Sequence, residues 1–174
     1  MTDGGIGIRR AGPDDASTIS DIGTQSFKAA YEATASAEDL LSHLSEFFGP
    51  DVVRRELEKS GCWYLLASIG DEPAGFVKIR DGEKHDCVPG NRVLELQQVY
   101  VLPDRQRHGL GQSLINAAFN LAGFMGADGV WLSVWEHASW AVKAYRKYGF
   151  EQVGTTDFSL GKTVYSDWIM YRAI

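Results

Sequence analysis

The segment at residues 106–111, Gln-Arg-His-Gly-Leu-Gly, has the most informative chemistry in this chain. It follows an apolar, strand-like run at residues 94–101 and leads into a sequence with helical periodicity. The first N–H groups of a helix have no partner inside the helix, and the helix dipole adds partial positive charge there. Gly109 and Gly111 carry no Cβ, so the backbone can approach a ligand closely. The segment is therefore predicted to bind an anion, best a phosphate or pyrophosphate.

Two well-known phosphate-binding templates do not fit this segment. A P-loop requires Gly-Lys-Ser/Thr after its first glycine, and that tripeptide is missing here. A dinucleotide fingerprint requires a third glycine, where this chain has Leu114. Two glycines between a strand and a helix are equally compatible with an ordinary turn, so the interpretation depends on what surrounds them.

Two blocks together resemble the GNAT superfamily of N-acetyltransferases. Gln-x-x-Gly-x-Gly after Val-Tyr-Val-x-Pro, at residues 99–111, is similar to the family's acetyl-CoA pyrophosphate loop. The block at residues 141–150, which carries Tyr145 and ends in Gly-Phe, resembles the family's second signature. The blocks occur in the family's order and spacing, and the resemblance covers about residues 6–172. Val-Trp-Glu at 134–136 and Ile-Arg-Arg-Ala at 8–11 look like the bacterial branch that includes polyamine acetyltransferases.

Length and composition predict one globular domain over residues 1–174, with a core at about 6–172. The chain has 174 residues, 44% hydrophobic and 11% aromatic content, and a net charge of −6. The acidic balance argues against nucleic-acid binding and is compatible with a cationic substrate.

Targeting and cysteine usage favour a reduced, cytoplasmic setting. Residues 1–5 show no basic or apolar signal-peptide region, and no apolar run reaches 18 residues, which predicts no membrane span. Cys62 and Cys87 are too few for a disulfide framework and lack metal-ligand spacing, so no metal is expected. Cys62, beside Trp63, is interpreted as a small core residue.

The hydrophobic pattern predicts an α/β (α+β) fold of the GNAT type. A mixed, mostly antiparallel central sheet is expected, flanked by helices on both faces. Strands are predicted at 6–10, 63–69, 74–80, 93–101, 129–135, 151–157 and 165–172. Helices are predicted to begin near 12 and 36 and to cover 52–59, 109–125 and 139–148.

The resemblance implies acetyl-CoA as co-substrate, held at the pyrophosphate by residues 107–112. Arg107 would add direct charge pairing, since its planar fork suits phosphate. His108 occupies a position that is often basic in the family, and a solvated surface role is an equal alternative. Gly109, Leu110, Gly111 and Gln112 would contribute backbone N–H groups, and Gln112 also its side chain.

In the family, a bulge in the central strand frees main-chain groups for the pantetheine arm and the thioester oxygen. Carried over, these groups belong to Val99, Tyr100 and Val101. The alternative is an ordinary core strand, and the two interpretations are compatible because the contacts use backbone.

Tyr145 and Glu95 are the predicted catalytic residues. Tyr145 matches the family's Tyr that protonates the departing thiolate, and the alternative is a packed aromatic side chain. Glu95 matches a general base on the central strand, acting directly or through water, and the alternative is a structural ion pair. Glu136 and His137 are further candidates for the base or for amine recognition.

Ala138 departs from the family, which often has an Asn at this position that touches the pantetheine arm. The Ala138 side chain cannot make that contact, which puts acetyl-CoA binding at this position in doubt. Ser139 is expected to act as the helix cap instead.

The acceptor is expected to be the primary amine of a small molecule, such as a polyamine, or of a peptide or protein. Residues 31–61 are the expected acceptor wall, with acids at Glu32, Glu38, Asp39, Glu46, Asp51, Glu56 and Glu58. These acids either attract a cationic amine or form solvated helix faces, and the second interpretation is favoured. Exposed aromatics expected at Trp140 and Trp168 leave a homodimer open.

Transfer is expected to be direct, because no Cys or Ser is well placed to form an acetyl-enzyme. The alternative function is a non-catalytic acetyl-CoA sensor or interaction module. Ala138 favours this alternative, whereas the presence of Tyr145 and Glu95 disfavours it.

Overall fold

A computed structural model describes residues 5–174, so the expectation about a signal peptide, which depends on the first residues, lies largely outside it. Two short 3-10 turns, Pro13–Asp15 and Pro103–Arg105, accompany twelve longer elements. In chain order these are β1 (Ile6–Arg10), α1 (Ala16–Tyr31), α2 (Ala37–Phe48), α3 (Pro50–Glu58), β2 (Cys62–Ile69), β3 (Glu72–Arg80), β4 (Val93–Val101), α4 (Leu110–Phe124), β5 (Gly129–Trp135), α5 (Ser139–Lys147), β6 (Glu151–Leu160) and β7 (Thr163–Ala173).

The seven strands form one mixed sheet in the order β1-β2-β3-β4-β5-β7-β6. Every neighbouring pair is antiparallel except β4 and β5, which run parallel. α4 connects the parallel pair, as a crossover between parallel strands requires. The predicted mixed, mostly antiparallel sheet is confirmed.

Helices cover both faces of this sheet because apolar residues alternate along its central strands. Leu66 of β2 and Phe76 of β3 pack with α1, α2 and α3, whereas their neighbours Ala67 and Val77 pack with α4 and α5. Both groups of side chains are almost fully buried. The predicted two-sided helix cover is therefore confirmed.

Strand β4 positions the centre of the molecule, because its pairing changes halfway along. Against β3 the register shifts between Lys78 and Ile79, so that Gln97 of β4 is an extra residue. Against β5 the ladder covers only Val93 to Glu95. Beyond Glu95 the two parallel strands separate and leave a gap between them.

Most predicted element boundaries are correct to within three residues. α3 begins at Pro50 rather than Val52, and β3 begins at Glu72 rather than at residue 74. Pro73 is accommodated at a register shift opposite β2, where a missing N–H is tolerated.

The predicted exposure of the two tryptophans is half correct. Trp140 is 64% exposed, whereas Trp168 is half-buried against the α4–α5 side of the core. The Arg146 guanidinium covers the Trp168 ring at 5.1 Å. Across residues 5–174, no helix has both the length and the apolar character needed to cross a membrane.

Candidate active site

The predicted anion loop is an open, exposed turn that leads into α4. Gln106 is extended, Arg107 has a left-handed φ of 69°, and Gly109 has a φ of 81° at the N-cap of α4. Residues 106–109 are all exposed. The left-handed conformation at Gly109 explains the need for glycine there, since a Cβ is disfavoured at that φ.

The main-chain amides at the start of α4 are free. The first bond of the helix runs from the Ser113 N–H to the Gly109 carbonyl at 3.0 Å, and in the described chain the N–H groups of Leu110, Gly111 and Gln112 make none. A Cβ placed on Gly109 or Gly111 would meet nothing within 4 Å. Free amides that face open space are suited to a phosphate.

The side chains of the loop leave this space open. His108 Nδ1 lies 2.9 Å from the Gln106 carbonyl, which holds the ring against its own loop. Arg107 is exposed and forms no ion pair within the described residues. Its cation remains available to a ligand, as the resemblance implies.

The gap between β4 and β5 begins directly before the loop and exposes one edge of β4. Val99, Tyr100 and Val101 pair with β3 but form no ladder with β5. The Val101 carbonyl accepts from Ser26 Oγ at 3.3 Å and from Gln106 Nε2 at 3.4 Å, so it already has partners. The bulge predicted near these residues lies at Gln97, two residues earlier.

Tyr145 of α5 is half-buried and packs on Phe150, with ring centroids 5.7 Å apart. Burial, and secondly Tyr148, raise the pKa of Tyr145 to about 12, so its hydroxyl carries a proton at neutral pH. Tyr145 contributes, after burial and Tyr31, to the raised pKa of Tyr100, which places it close to the β4 side of the gap. Packing and proton donation are compatible here.

The expectation that Ser139 caps α5 is wrong. Ala138 itself is the N-cap, it is buried, and no side chain caps the helix. The Ala138 carbonyl accepts the N–H groups of Ala141 at 2.9 Å and Val142 at 3.0 Å, while Ser139 is the first residue of the helix.

Glu95 lies at the last rung that β4 pairs with β5, and it forms a partly buried ion pair with Arg80 of β3. A second pair lies two residues earlier on β3, where Lys78 Nζ contacts Glu56 of α3 at 2.8 Å. The ion-pair interpretation of Glu95 is thus what the structure displays. Glu95 also lines a cavity, so a role as general base is still possible in this geometry and stays a prediction.

That cavity has a volume of about 510 Å³ and lies between the helices α1–α3 and the gap in the sheet. Its walls combine polar and charged side chains with six Phe and Tyr rings, those of Phe27, Tyr31, Phe47, Phe48, Tyr100 and Phe158. A neighbouring cavity of about 470 Å³ shares Arg80, Glu95, Ser133, Phe158 and Asp167 with it. We call the larger space the acceptor cavity.

The acidic wall predicted for residues 31–61 is mostly a set of solvated helix faces. Of its seven carboxylates, only Glu46 and Glu56 line the acceptor cavity. Glu56 is paired with Lys78, so little free negative charge comes from these helices.

Asp167 of β7 lines both cavities and was missed by the sequence analysis. It is 7% exposed, and burial, with a smaller effect of Glu136, raises its pKa to about 6. A signal existed: Tyr165, Asp167 and Ile169 fall on one buried face of a strand by period-two alternation. An acid on such a face requires an explanation.

The other candidates are arranged less favourably. Glu136 contacts the exposed His137 at 3.5 Å and lies near Asp167. Burial raises the pKa of the Cys62 thiol, which disfavours a thiolate nucleophile. Ser133 forms no side-chain hydrogen bond to a base in the part of the chain described, so nothing activates it. Residues 5–174 hold no group of three or more metal-ligating side chains.

Comparison with protein families gives one match over most of the chain. The model of the Acetyltransferase (GNAT) family matches residues 24–150. A protein described as an uncharacterized N-acetyltransferase in the pepI 3' region of Lactobacillus delbrueckii subsp. lactis is 24% identical over 172 residues. That alignment covers 98% of each chain.

Solved structures share the fold. PaiA N-acetyltransferase from Thermoplasma acidophilum, in complex with coenzyme A, has a TM-score of 0.79 at 22% identity, covering 98% of this chain and 99% of that one. The protein yncA from Salmonella typhimurium, with its cofactor acetyl-CoA, has a TM-score of 0.65 at 17% identity, with 97% and 93% covered.

Proposed function

Because the chain belongs to the GNAT family of acetyltransferases, we propose that it transfers an acetyl group from acetyl-CoA directly to a primary amine. One observation carries the proposal: the gap between β4 and β5 opens on one side to free amides at the start of α4 and on the other to the acceptor cavity. A ligand in this gap would bring a thioester to the amine. A single domain over the chain and a cytoplasmic setting belong to the same proposal.

The residues present fit coenzyme A. Free amides of Leu110, Gly111 and Gln112 face open space, and the Arg107 guanidinium and the His108 ring are exposed beside them. These groups would hold a pyrophosphate, and the unpaired edge of β4 at Val99–Val101 would hold the amide-containing arm. When bound, acetyl-CoA supplies an activated acetyl thioester.

Tyr145 would hold the proton that the leaving thiolate needs. A phenol that stays protonated at neutral pH can donate to a strongly basic thiolate as the C–S bond breaks. The acceptor must reach the thioester as a neutral amine, so a carboxylate must remove a proton. Glu95 lines the acceptor cavity, as the resemblance implies, but it would have to release Arg80 or act through water.

The acceptor proposed is a small cationic amine. The Lys and Arg side chains that line the cavity, Lys59, Lys78 and Arg80, each contact a carboxylate, whereas Asp167 has no ion-pair partner among the described residues. A polyamine is the candidate that the sequence resemblance supplies. A peptide or protein amine is the second candidate.

The test is release of free thiol from acetyl-CoA by the purified protein, with and without spermidine. Tyr145→Phe is expected to lower kcat by roughly 10²-fold with little change in acetyl-CoA affinity, because a lost proton donor acts on the transition state. Tyr148→Phe is the matched control, three residues along the same helix. Equal turnover by all three proteins would remove the acid role from Tyr145.

A non-catalytic acetyl-CoA sensor is the second candidate, favoured by Ala138 at the position where the family often has Asn. It predicts tight acetyl-CoA binding without thiol release across a wide panel of amines. Thiol release with any primary amine at a rate above that of Tyr145→Phe would exclude it.

A further inference from the structure

We propose that Asp167 and Gln97 together receive the ammonium group of the acceptor, and that Asp167 takes the proton the ammonium must lose before it attacks. This inference rests on the proposed function of the site. It concerns residues that neither family signature contains, since Asp167 lies on β7 and Gln97 at the bulge of β4.

Unpaired polar atoms single out this place in the molecule. Within residues 5–174, three buried side-chain atoms have no hydrogen-bond partner: Gln97 Oε1, Asp167 Oδ1 and the Tyr165 hydroxyl. Gln97 and Asp167 line the acceptor cavity, and Tyr165 packs against Tyr31 at 5.9 Å behind its wall. Buried polar groups are normally satisfied, so the two unpaired oxygens that line one cavity indicate that a ligand supplies their partners.

The bulge explains why Gln97 is available. Leu96 and Gln98 pair opposite Ile79 and Lys78, and Gln97 is the extra residue between them. The extra residue turns its side chain to the same cavity that Gln98 lines. An uninterrupted strand would have sent these two neighbours to opposite faces.

The local charges select a cation. Lys78 is paired with Glu56, and Arg80 with Glu95, whereas Asp167 has no cationic partner among the described residues. An ammonium has three N–H donors and no acceptor, which matches the two unpaired oxygens of Asp167 and Gln97.

Aromatic rings complete the surroundings of Asp167. Trp135 lies opposite Asp167 in the β5–β7 ladder, and its ring is 6.2 Å from that of Tyr31 and 5.4 Å from that of Tyr165. Aromatic faces stabilise a cation and exclude water from it. They also raise the free-energy cost of a buried carboxylate that has no counter-ion, and a bound ammonium would remove that cost.

Asp167 is better suited than Glu95 to accept the proton. Glu95 is held by Arg80, while Asp167 is unpaired and its pKa is raised to about 6 by burial and Glu136. A base that titrates close to neutrality combines a deprotonated resting state with sufficient proton affinity. The titratable and charged groups that line the smaller cavity with Asp167 are Arg80 of β3, Glu83, Lys84 and His85 after β3, Glu95 of β4 and Asp157 of β6. The acceptor cavity adds Tyr31 of α1, His43 and Glu46 of α2, Glu56 of α3, Lys59 after α3, Lys78 of β3 and Tyr100 of β4. Glu136 after β5 and Tyr165 of β7 lie near these groups.

The proton and bond changes balance. Asp167 takes one proton from the ammonium, and the neutral amine forms the new C–N bond to the acetyl carbon while the C–S bond breaks. The thiolate takes a proton from Tyr145, which regains one from the nitrogen as the amide forms. Asp167 releases its proton to water, so the net products are the amide, free thiol and one proton.

The experiment compares Asp167→Asn, Gln97→Met and Asp157→Asn with the unchanged chain. Asp157 is the matched control, because it is an exposed acid that lines the smaller cavity together with Asp167 but does not line the acceptor cavity. Binding of spermidine and of 2-phenylethylamine to the protein saturated with coenzyme A is measured by calorimetry. Thiol release with the same amines is measured across pH 5 to 9.

The unchanged chain and Asp157→Asn are expected to bind at least one of the two amines. Asp167→Asn should weaken that binding at least tenfold and lower kcat/KM by about 10²-fold, as for a lost general base. Gln97→Met should weaken binding about fivefold, through one lost hydrogen bond. The fall in kcat/KM of the unchanged chain below about pH 6 should be absent in Asp167→Asn.

Amine binding that is equal in all four proteins, or detectable in none, overturns the inference. If thiol release proceeds and Asp167→Asn is as fast as Asp157→Asn, the inference fails while the proposed function stands. If amine binding depends on Asp167 but no thiol is released from acetyl-CoA, the proposed function fails and the ammonium site stands.

Discussion

The two sides of the gap between β4 and β5 are built in different ways. The side proposed to bind coenzyme A, called the coenzyme side, consists of main-chain groups of one continuous segment, from Val99 to Gln112. The acceptor side is formed by side chains from segments as far apart as Tyr31 and Asp167. A site made of backbone depends on glycines and helix geometry, whereas a site made of side chains depends on which residues the fold brings together. We therefore expect the coenzyme side to determine only the common ligand, acetyl-CoA, and the acceptor side to determine which amine is used.

The largest expected effect is on the backbone-built side. Gly111→Asp places a carboxylate in open space in the first turn of α4. We expect acetyl-CoA to bind roughly 100-fold more weakly, because like charges meet at close range. The same Asp should stabilise the fold by about 0.5 kcal/mol, since an acid suits a helix N-terminus. Calorimetric titration and thermal unfolding measure the two effects.

Gly111→Ala is the matched variant, since it adds a Cβ without charge. Its affinity for acetyl-CoA should fall less than tenfold. If Gly111→Asp binds acetyl-CoA as well as Gly111→Ala does, the amides at the start of α4 do not hold the pyrophosphate.

An effect of intermediate size is expected for Glu95, and it distinguishes the role of Glu95 from that of Asp167. Glu95→Gln should lower kcat/KM about tenfold and the free energy of unfolding by about 1 kcal/mol, because its partner Arg80 is 41% exposed and partly solvated. The double variant Arg80→Gln/Glu95→Gln should recover most of that stability. Steady-state kinetics and urea unfolding provide both numbers. A loss with Glu95→Gln larger than with Asp167→Asn would return the role of base to Glu95.

The smallest expected effect is an increase in stability, in contrast to the losses expected above. The pKa of Asp167 is about 6 in the folded chain against about 3.9 when unfolded. Between these values the folded state binds more protons, so its stability falls as pH rises through the window and stays low above pH 6. Asp167→Asn should therefore raise the free energy of unfolding by roughly 1 kcal/mol at pH 8 and leave it nearly unchanged at pH 4. Urea unfolding at both pH values checks this, with Asp157→Asn as control.

The sequence predicted the backbone-built side well because its signals are local. Two glycines, a preceding apolar strand and a following helical period define the turn at 106–111, and each signal falls within a few residues of the others. The sheet was predictable for the same reason, since strands β4 and β5 have their predicted bounds. A small boundary error occurred at Pro73, which lies inside β3 although proline is uncommon within strands.

The side-chain-built side was less predictable because its contacts are long-range. The partner of Glu95 is Arg80, fifteen residues earlier, and a choice between base and ion pair required knowing the β3–β4 register. Asp167 carried a local signal, an acid on an apolar strand face. The sequence could not show that this acid lines a cavity, because the cavity depends on the separation of β4 from β5. For the acidic residues of 31–61, the favoured interpretation as solvated helix faces agrees with the structure, in which only Glu46 and Glu56 line the acceptor cavity.

The most direct test of the central claim is amide hydrogen exchange with and without saturating acetyl-CoA, because the claim concerns free main-chain N–H groups. Exchange at residues 109–112 and along the unpaired edge at 97–101 is expected to slow at least tenfold on binding. The exposed hairpin turn at Gly161 and Lys162 should not change. Unchanged exchange in both segments while acetyl-CoA is bound would contradict the account.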